Sequence, residues 1–249
     1  MKPGPLKLGS MKPGSMMTGN RSGEIDGKDA DRFAALPLQL EAPDLLDEVD
    51  RFLHQGISVE AIYLDLLAPA AGRLGEMWTS DECDFVDVTM GLWRLQEVMR
   101  EVSLRSPAGI ASCQNTRRAL FCPIPGDVHS FGAQMIDEVF ARAGWQSEAI
   151  MHPERRELLD CLARQPIDIL GLTVSRDCPA AALASLIKAA RSVAINPNMC
   201  VLVGGHTINQ KPDLVAEAGA DGTGVDARAA LECAERLVAA TRAQERIII

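Results

Sequence analysis

The chain has 249 residues, 47% of them hydrophobic, and a formal charge of -9 at pH 7. These values exclude a wholly disordered protein and leave room for one large domain or two modest ones. The acidic balance excludes a broad electrostatic surface for nucleic acid, because such binding draws on Lys and Arg meeting phosphates, although weak or indirect DNA contact through a local patch stays open. No apolar run approaches the roughly 20 residues of a membrane span. Seven widely spaced cysteines, without a C-x-x-C pair or a secretory signal, read as reduced thiols of a cytoplasmic protein, not as a disulfide or zinc framework.

In chain order, the near-repeat of Met, Lys, Pro, Gly and Ser at the start predicts a disordered arm over residues 1–40, in which Met11, Met16 and Met17 are alternative starts. Residues 41–104 read as a small helical bundle. Leu45, Leu46, Val49, Phe52 and Leu53 share one helical face, which Gly56 closes. Ser58 caps a second helix carrying Ile62, Leu66, Leu67 and Leu74; it is interrupted at Pro69 and ends near Trp78 and an acidic turn. A third helix runs from Phe85 to Val102 with Val88, Leu92, Leu95, Val98 and Met99 inward, and the acids Asp81, Glu82, Asp84 and Asp87 read as its solvated start. The Pro, Gly, Ser and Asn of residues 104–116 make a linker.

Short apolar runs then alternate with amphipathic stretches over residues 117–244. This is the pattern of βαβ units, and it predicts a flavodoxin-like (Rossmann-like) α/β domain with five parallel strands in the order 2-1-3-4-5. Ligands of such sheets bind beyond the carboxyl ends of the strands. The predicted rim holds Asp127-Val128-His129-Ser130-Phe131-Gly132, Thr173-Val174-Ser175, Gly204-Gly205-His206 and Gly222-Thr223-Gly224. In the first of these loops Asp127 stands two residues before His129, where its carboxylate can accept one ring N–H and leave the other nitrogen for a metal. A phosphoacceptor role for Asp127 is disfavoured, since the end of the third strand offers Thr173-Val174-Ser175 and no aspartate. There is no P-loop, no G-x-G-x-x-G and no convincing nucleophile–base pair.

With D-x-H-x-x-G after the first strand, a hydroxyl after the third and G-G after the fourth, the carboxy-terminal half resembles the cobalamin-binding domain of methionine synthase, corrinoid methyl carriers, mutases and light-sensing regulators. The resemblance implies cobalamin, as adenosylcobalamin or hydroxocobalamin, with His129 as its cobalt ligand and Asp127 as the imidazole's partner. It further implies cofactor contacts at Ser130, Gly132, Thr173, Ser175, Gly204, Gly205 and Gly222, with Gly204 and Gly205 leaving space for a nucleotide tail. Ser175 stands where the family's S-x-L pattern has leucine. The bundle resembles the cap that precedes this domain, and Trp78, in LGEMW, matches the tryptophan such caps place over the upper ligand. Light-sensing transcription factors of this kind carry Glu-His where this chain has Val88 and Thr89, and a winged-helix DNA-binding domain that is not seen here. The stretches LLAPAAGRLGEMWTSDECDFVDVTMGLWRLQEVMRE and FCPIPGDVHSFGAQMIDEVFARAGW look most like the AerR/PpaA photosynthesis antirepressors. That likeness implies a light-responsive regulator, not an enzyme, with a CrtJ/PpsR-type PAS and helix-turn-helix repressor as partner. The alternative is a corrinoid methyl carrier of a methyltransferase system, and a weaker one a cobalamin chaperone or storage protein.

Overall fold

The computed structural model describes residues 24–109 and 117–248, with side chains to residue 244. Residues 1–23 of the expected arm and 110–116 of the expected linker lie outside the described residues. Residues 27–34, expected in the arm, instead form helix α1 (Gly27–Ala34). Asp26 caps it by accepting the Asp29 N–H at 2.8 Å, and Phe33 is buried in the bundle core. This helix is too short and polar for hydrophobic periodicity to announce it; one aromatic residue secures it. A 3-10 turn at Leu36–Leu38 leads to α2 (Ala42–His54). Gly56 ends α2 with φ at +86°, while the N–H groups of Gly56 and Ile57 donate to the carbonyls of Leu53 and Phe52, the paired bonds of a glycine helix stop.

Ser58 caps the next helix as expected, its Oγ accepting the Ala61 N–H at 3.1 Å. The break expected at Pro69 takes another form. The chain stays helical from α3 (Val59–Ala61) through a π-helical segment, Ile62–Leu67, into α4 (Ala68–Thr79). Pro69 has no N–H for the Asp65 carbonyl and its ring would crowd that oxygen; widening the preceding turn, so that Ala68 N–H reaches the Tyr63 carbonyl, absorbs both effects. Helix α5 (Phe85–Arg105) starts on a reciprocal cap between Asp84 and Asp87, each side chain accepting the other's backbone N–H. Val88, Leu95, Val98 and Met99 are buried in the same core as Leu45, Val49, Ile62 and Leu74.

The second half comprises β1 (Arg118–Pro123), α6 (Phe131–Arg142), β2 (Gln146–Ala149), α7 (Arg155–Leu162), β3 (Ile169–Thr173) and α8 (Ala180–Val193). It continues with β4 (Cys200–Gly204), α9 (His206–Gln210), α10 (Leu214–Glu217), β5 (Gly222–Thr223) and α11 (Ala227–Ile248). The five strands form one parallel sheet in the order β2-β1-β3-β4-β5. Alternate residues of β1, β3 and β4 feed opposite faces. Leu120, Cys122, Leu170 and Val203 pack with Leu158, Leu186 and Ile187 on one face; Ala119, Phe121, Ile169 and Leu202 pack with Phe140 and Ala234 on the other. Pro123, Thr173 and Gly204 stand side by side in the register, so three strands end flush and their loops share one edge.

Helix α6 joins the two halves. Its Met135 is buried in the bundle core, Ser103 donates to Glu138 at 2.6 Å, and the Arg142 guanidinium lies 5.3 Å from the Tyr63 ring centre and donates to the Ser106 carbonyl. No described helix is long and apolar enough to cross a membrane. The six described cysteines are free thiols; Cys113 lies outside the described residues.

On α6, burial pushes the Asp137 carboxyl up to about 6, helped by Glu138 and Glu148 and opposed by the nearby Ser147 hydroxyl. Its Oδ1 has no hydrogen-bond partner. A raised folded-state value stabilises the fold only while the acid is protonated, and that contribution is lost as pH rises through about 6. Asp137→Asn is therefore expected to stabilise the protein at pH 7.5 by on the order of 2 kcal/mol. Urea unfolding should show the gain shrinking as pH falls from 6 towards 4; an equal gain at both ends would exclude the titration as its cause.

Candidate functional site

The site begins with a turn. Pro125 and Gly126 follow β1, Gly126 adopts φ of +84°, and Asp127 N–H donates to the Ile124 carbonyl at 2.9 Å; proline then glycine at the two central positions is the signature of a type II turn. The turn sends Asp127 inward, where its side chain is fully buried. Burying a carboxylate is costly unless donors surround it. Here Oδ1 accepts the His129 backbone N–H at 3.1 Å and lies 2.5 Å from His129 Nδ1, while Oδ2 accepts the Ser175 N–H at 3.3 Å. The carboxylate accepts the Nδ1 proton, so the His129 Nε2 lone pair is free for an electrophile. The imidazole is half exposed, which gives an incoming ligand access.

Beside this loop, between the bundle and the carboxyl edge of the sheet, is a cleft of about 380 Å³. Gly132, Thr173, Ser175, Gly204 and Gly205 line it, as does His206, whose Nε2 lies 2.7 Å from the Gln210 amide nitrogen. The Thr173 Oγ1 is buried without a hydrogen-bond partner. A Cβ on Gly204 would stand in ordinary contact with the Gly224 carbonyl oxygen, at 3.6 Å. Gly205 is required by the chain itself. Its φ is +100°, and a Cβ would stand 2.9 Å from the Val174 carbonyl oxygen.

The structure separates other expected positions from the cleft. Gly222 is a packing residue, because a Cβ on it would meet the Cys233 Sγ at 2.6 Å and Leu202 behind it; Gly224, two residues on, is packed as well, with the Ala230 nitrogen 2.3 Å from where its Cβ would stand, and it also lines the cleft. Ser130 is buried at the start of α6, and Trp78 is half exposed on the last turn of α4; neither lines the cleft, and Asp127 and His129 stand beside it, its lining on that loop beginning at Phe131. Val88 is buried, and the Thr89 hydroxyl donates to the Phe85 carbonyl at 2.7 Å, so neither offers a free ligand atom. Sequence reasoning missed the bundle's contribution to the cleft, Leu64, Ala68, Ala71 and Gly72. Their spacing of four, three and one residues, with small side chains after Leu64, marks a helix face left open to a neighbour.

The fold and site define a parallel α/β domain with a carboxylate-held histidine at its ligand edge, set against a helical bundle. Residues 30–103, which span that bundle, match the family model described as the B12 binding domain. An uncharacterized 20.5 kDa protein in the bchF-crtJ intergenic region of Rhodobacter capsulatus is 28% identical over 178 residues, covering 72% of this chain and 91% of that protein. Among solved structures, the monomethylamine corrinoid protein of Methanosarcina barkeri superposes with a TM-score of 0.69 at 14% identity, covering 85% of this chain and 97% of that one. A cobalamin-binding protein from Desulfitobacterium hafniense gives a TM-score of 0.45 at 15% identity, covering 84% and 98%.

The residues present fit a corrinoid. His129 presents a single imidazole nitrogen, as suits a metal whose other ligands come from the macrocycle that carries it. The unpartnered Thr173 Oγ1 and the cleft beside it suit a polar, nucleotide-sized extension of that group. Since Gly205 serves the backbone, Gly205→Ala is expected to destabilise the fold by about 1–3 kcal/mol. Denaturant midpoints measured without any cofactor would reveal this loss; an unchanged midpoint would return Gly205 to a purely ligand-binding role.

Proposed function

We propose that this chain binds cobalamin through His129 and acts as a light-responsive antirepressor of photosynthesis genes, without catalysing turnover. Its partner on this reading is a CrtJ/PpsR-type repressor with PAS and helix-turn-helix domains. The observation that carries the cofactor assignment is the buried Asp127 carboxylate holding His129 Nδ1 beside a cleft lined by Thr173, whose hydroxyl has no partner. The B12 binding domain match over residues 30–103 supports it independently. The regulatory half is supported by the Rhodobacter capsulatus relative, whose gene lies between bchF and crtJ.

When bound, adenosylcobalamin supplies a cobalt–carbon bond that light can break. The protein's own work is positional. Asp127 holds the imidazole in one tautomer and direction, and Thr173, with its unpartnered hydroxyl, and Gly204 line the cleft beside it. Leu64, Ala68, Ala71 and Gly72 close the opposite wall, so the fit between bundle and sheet edge depends on what lies between them. Regulation requires the repressor to bind one ligand state better than the other, and a coupling of about 1–3 kcal/mol corresponds to an affinity ratio of roughly 5- to 150-fold.

Absorbance spectra of protein reconstituted with adenosylcobalamin and hydroxocobalamin, dark and illuminated, test the cofactor half. His129→Ala is expected to lose the imidazole-ligated spectrum and at least tenfold in cobalamin affinity, and an unchanged spectrum and affinity would remove His129 from the site. Repressor affinity measured for the apo, dark and illuminated forms tests the rest. Equal affinity in all three would reject the antirepressor role, and light-independent methyl transfer from the loaded protein would establish the carrier role in its place.

A further inference from the structure

Helix α5 has an outer face that neither the bundle core nor the cleft uses. Opposite the buried Val88, Leu95, Val98 and Val102 runs a stripe at alternating four- and three-residue spacing: Val86, Met90, Trp93, Glu97, Arg100 and Leu104. Its four apolar members are 63%, 39%, 52% and 65% exposed in that order. A stripe of this period is the seam by which one helix lies along another. The two charges in the seam are also the two on α5 without a partner among the described residues. Asp87 is held in the helix cap, Arg94 is paired with Glu41, and Glu101 and Arg105 are paired with each other, Arg105 also reaching Asp50. Glu97 and Arg100 are exposed and carry no ion pair or hydrogen bond.

We propose that this stripe is a homotypic interface, in which α5 of one copy lies antiparallel against α5 of a second copy across a two-fold axis. Setting the axis between Glu97 and Arg100 places each of them opposite its complement in the other copy. The same register places Trp93 opposite Leu104. A two-fold interface must complement itself, and one acid and one base flanked by an aromatic and an aliphatic residue do so. A basic amphipathic helix from another protein would meet Glu97 favourably but would face Arg100 with like charge. The pairing concerns the outer face only, so it is independent of any cofactor and goes beyond the regulatory reading.

Sedimentation velocity of the full chain, without added cofactor, tests the pairing. The native protein is expected to dimerise at micromolar concentrations, and Glu97→Arg and Arg100→Glu are each expected to weaken the dimer at least tenfold. Combining both substitutions in one chain should restore it. Mixing the two single variants should also restore it, because both cross-copy contacts then join opposite charges, an outcome no contact within one chain can produce. Circular dichroism spectra of each variant should match the native protein, as all the altered side chains are exposed. A monomeric native protein, a dimer indifferent to the single reversals, or a mixture that stays monomeric would each overturn the proposal.

Discussion

Everything at the ligand edge depends on one buried anion. The Asp127 carboxylate lies where water cannot reach it, and three N–H groups, two from the backbone and one from an imidazole, are what make that burial tolerable. Because one of the backbone donors belongs to Ser175, the carboxylate also ties the loop after β1 to the loop after β3. The imidazole's direction is thus set by the packing of two strands and not by its own loop alone. The flush ends of β1 and β3 make this possible, since a one-residue slip in their pairing would carry the Ser175 N–H away from Asp127.

Packing builds the rest of the site by withholding side chains where the two halves meet. The bundle offers Ala68, Ala71 and Gly72, and the sheet edge offers Gly132, Gly204 and Gly224. Mid-helix glycine costs about 1 kcal/mol relative to alanine, and Gly72 has no neighbour within 4 Å of where a Cβ would stand. The fold's own contacts do not call for a glycine there. What does is a space kept between two separately cored layers.

Much of this was legible in the sequence for identifiable reasons. Strand order and ligand edge followed from the alternation of short apolar runs with amphipathic ones, and the Asp127–His129 pair from a two-residue spacing that brings carboxylate and imidazole together in one turn. What escaped is equally physical. Helix α1 rests on the anchoring of Phe33, which periodicity cannot show in so short a segment. The π turn before Pro69 is one of two ways a helix can absorb a proline, and choosing between them takes the packing of Ile62 and Tyr63 against the bundle. Gly222 and Gly224 sit two residues apart and both pack against α11, and a two-residue strand carries no alternation to show that only Gly224 also lines the cleft. The bundle wall was missed because small residues signal proximity without naming the neighbour.

The shared helix α6 has a mechanical consequence. Phe131 and Met135 pack against the bundle core, and Phe131 follows His129 by only two residues. The imidazole is therefore connected to the bundle by a very short span of covalent chain whose far end is clamped. A displacement of the imidazole by even a fraction of an ångström has little slack to dissipate in, and it would be felt as a tug on the first turn of α6. Transmission between the ligand edge and the bundle then needs no relay of weak side-chain contacts, because the backbone itself is the tether.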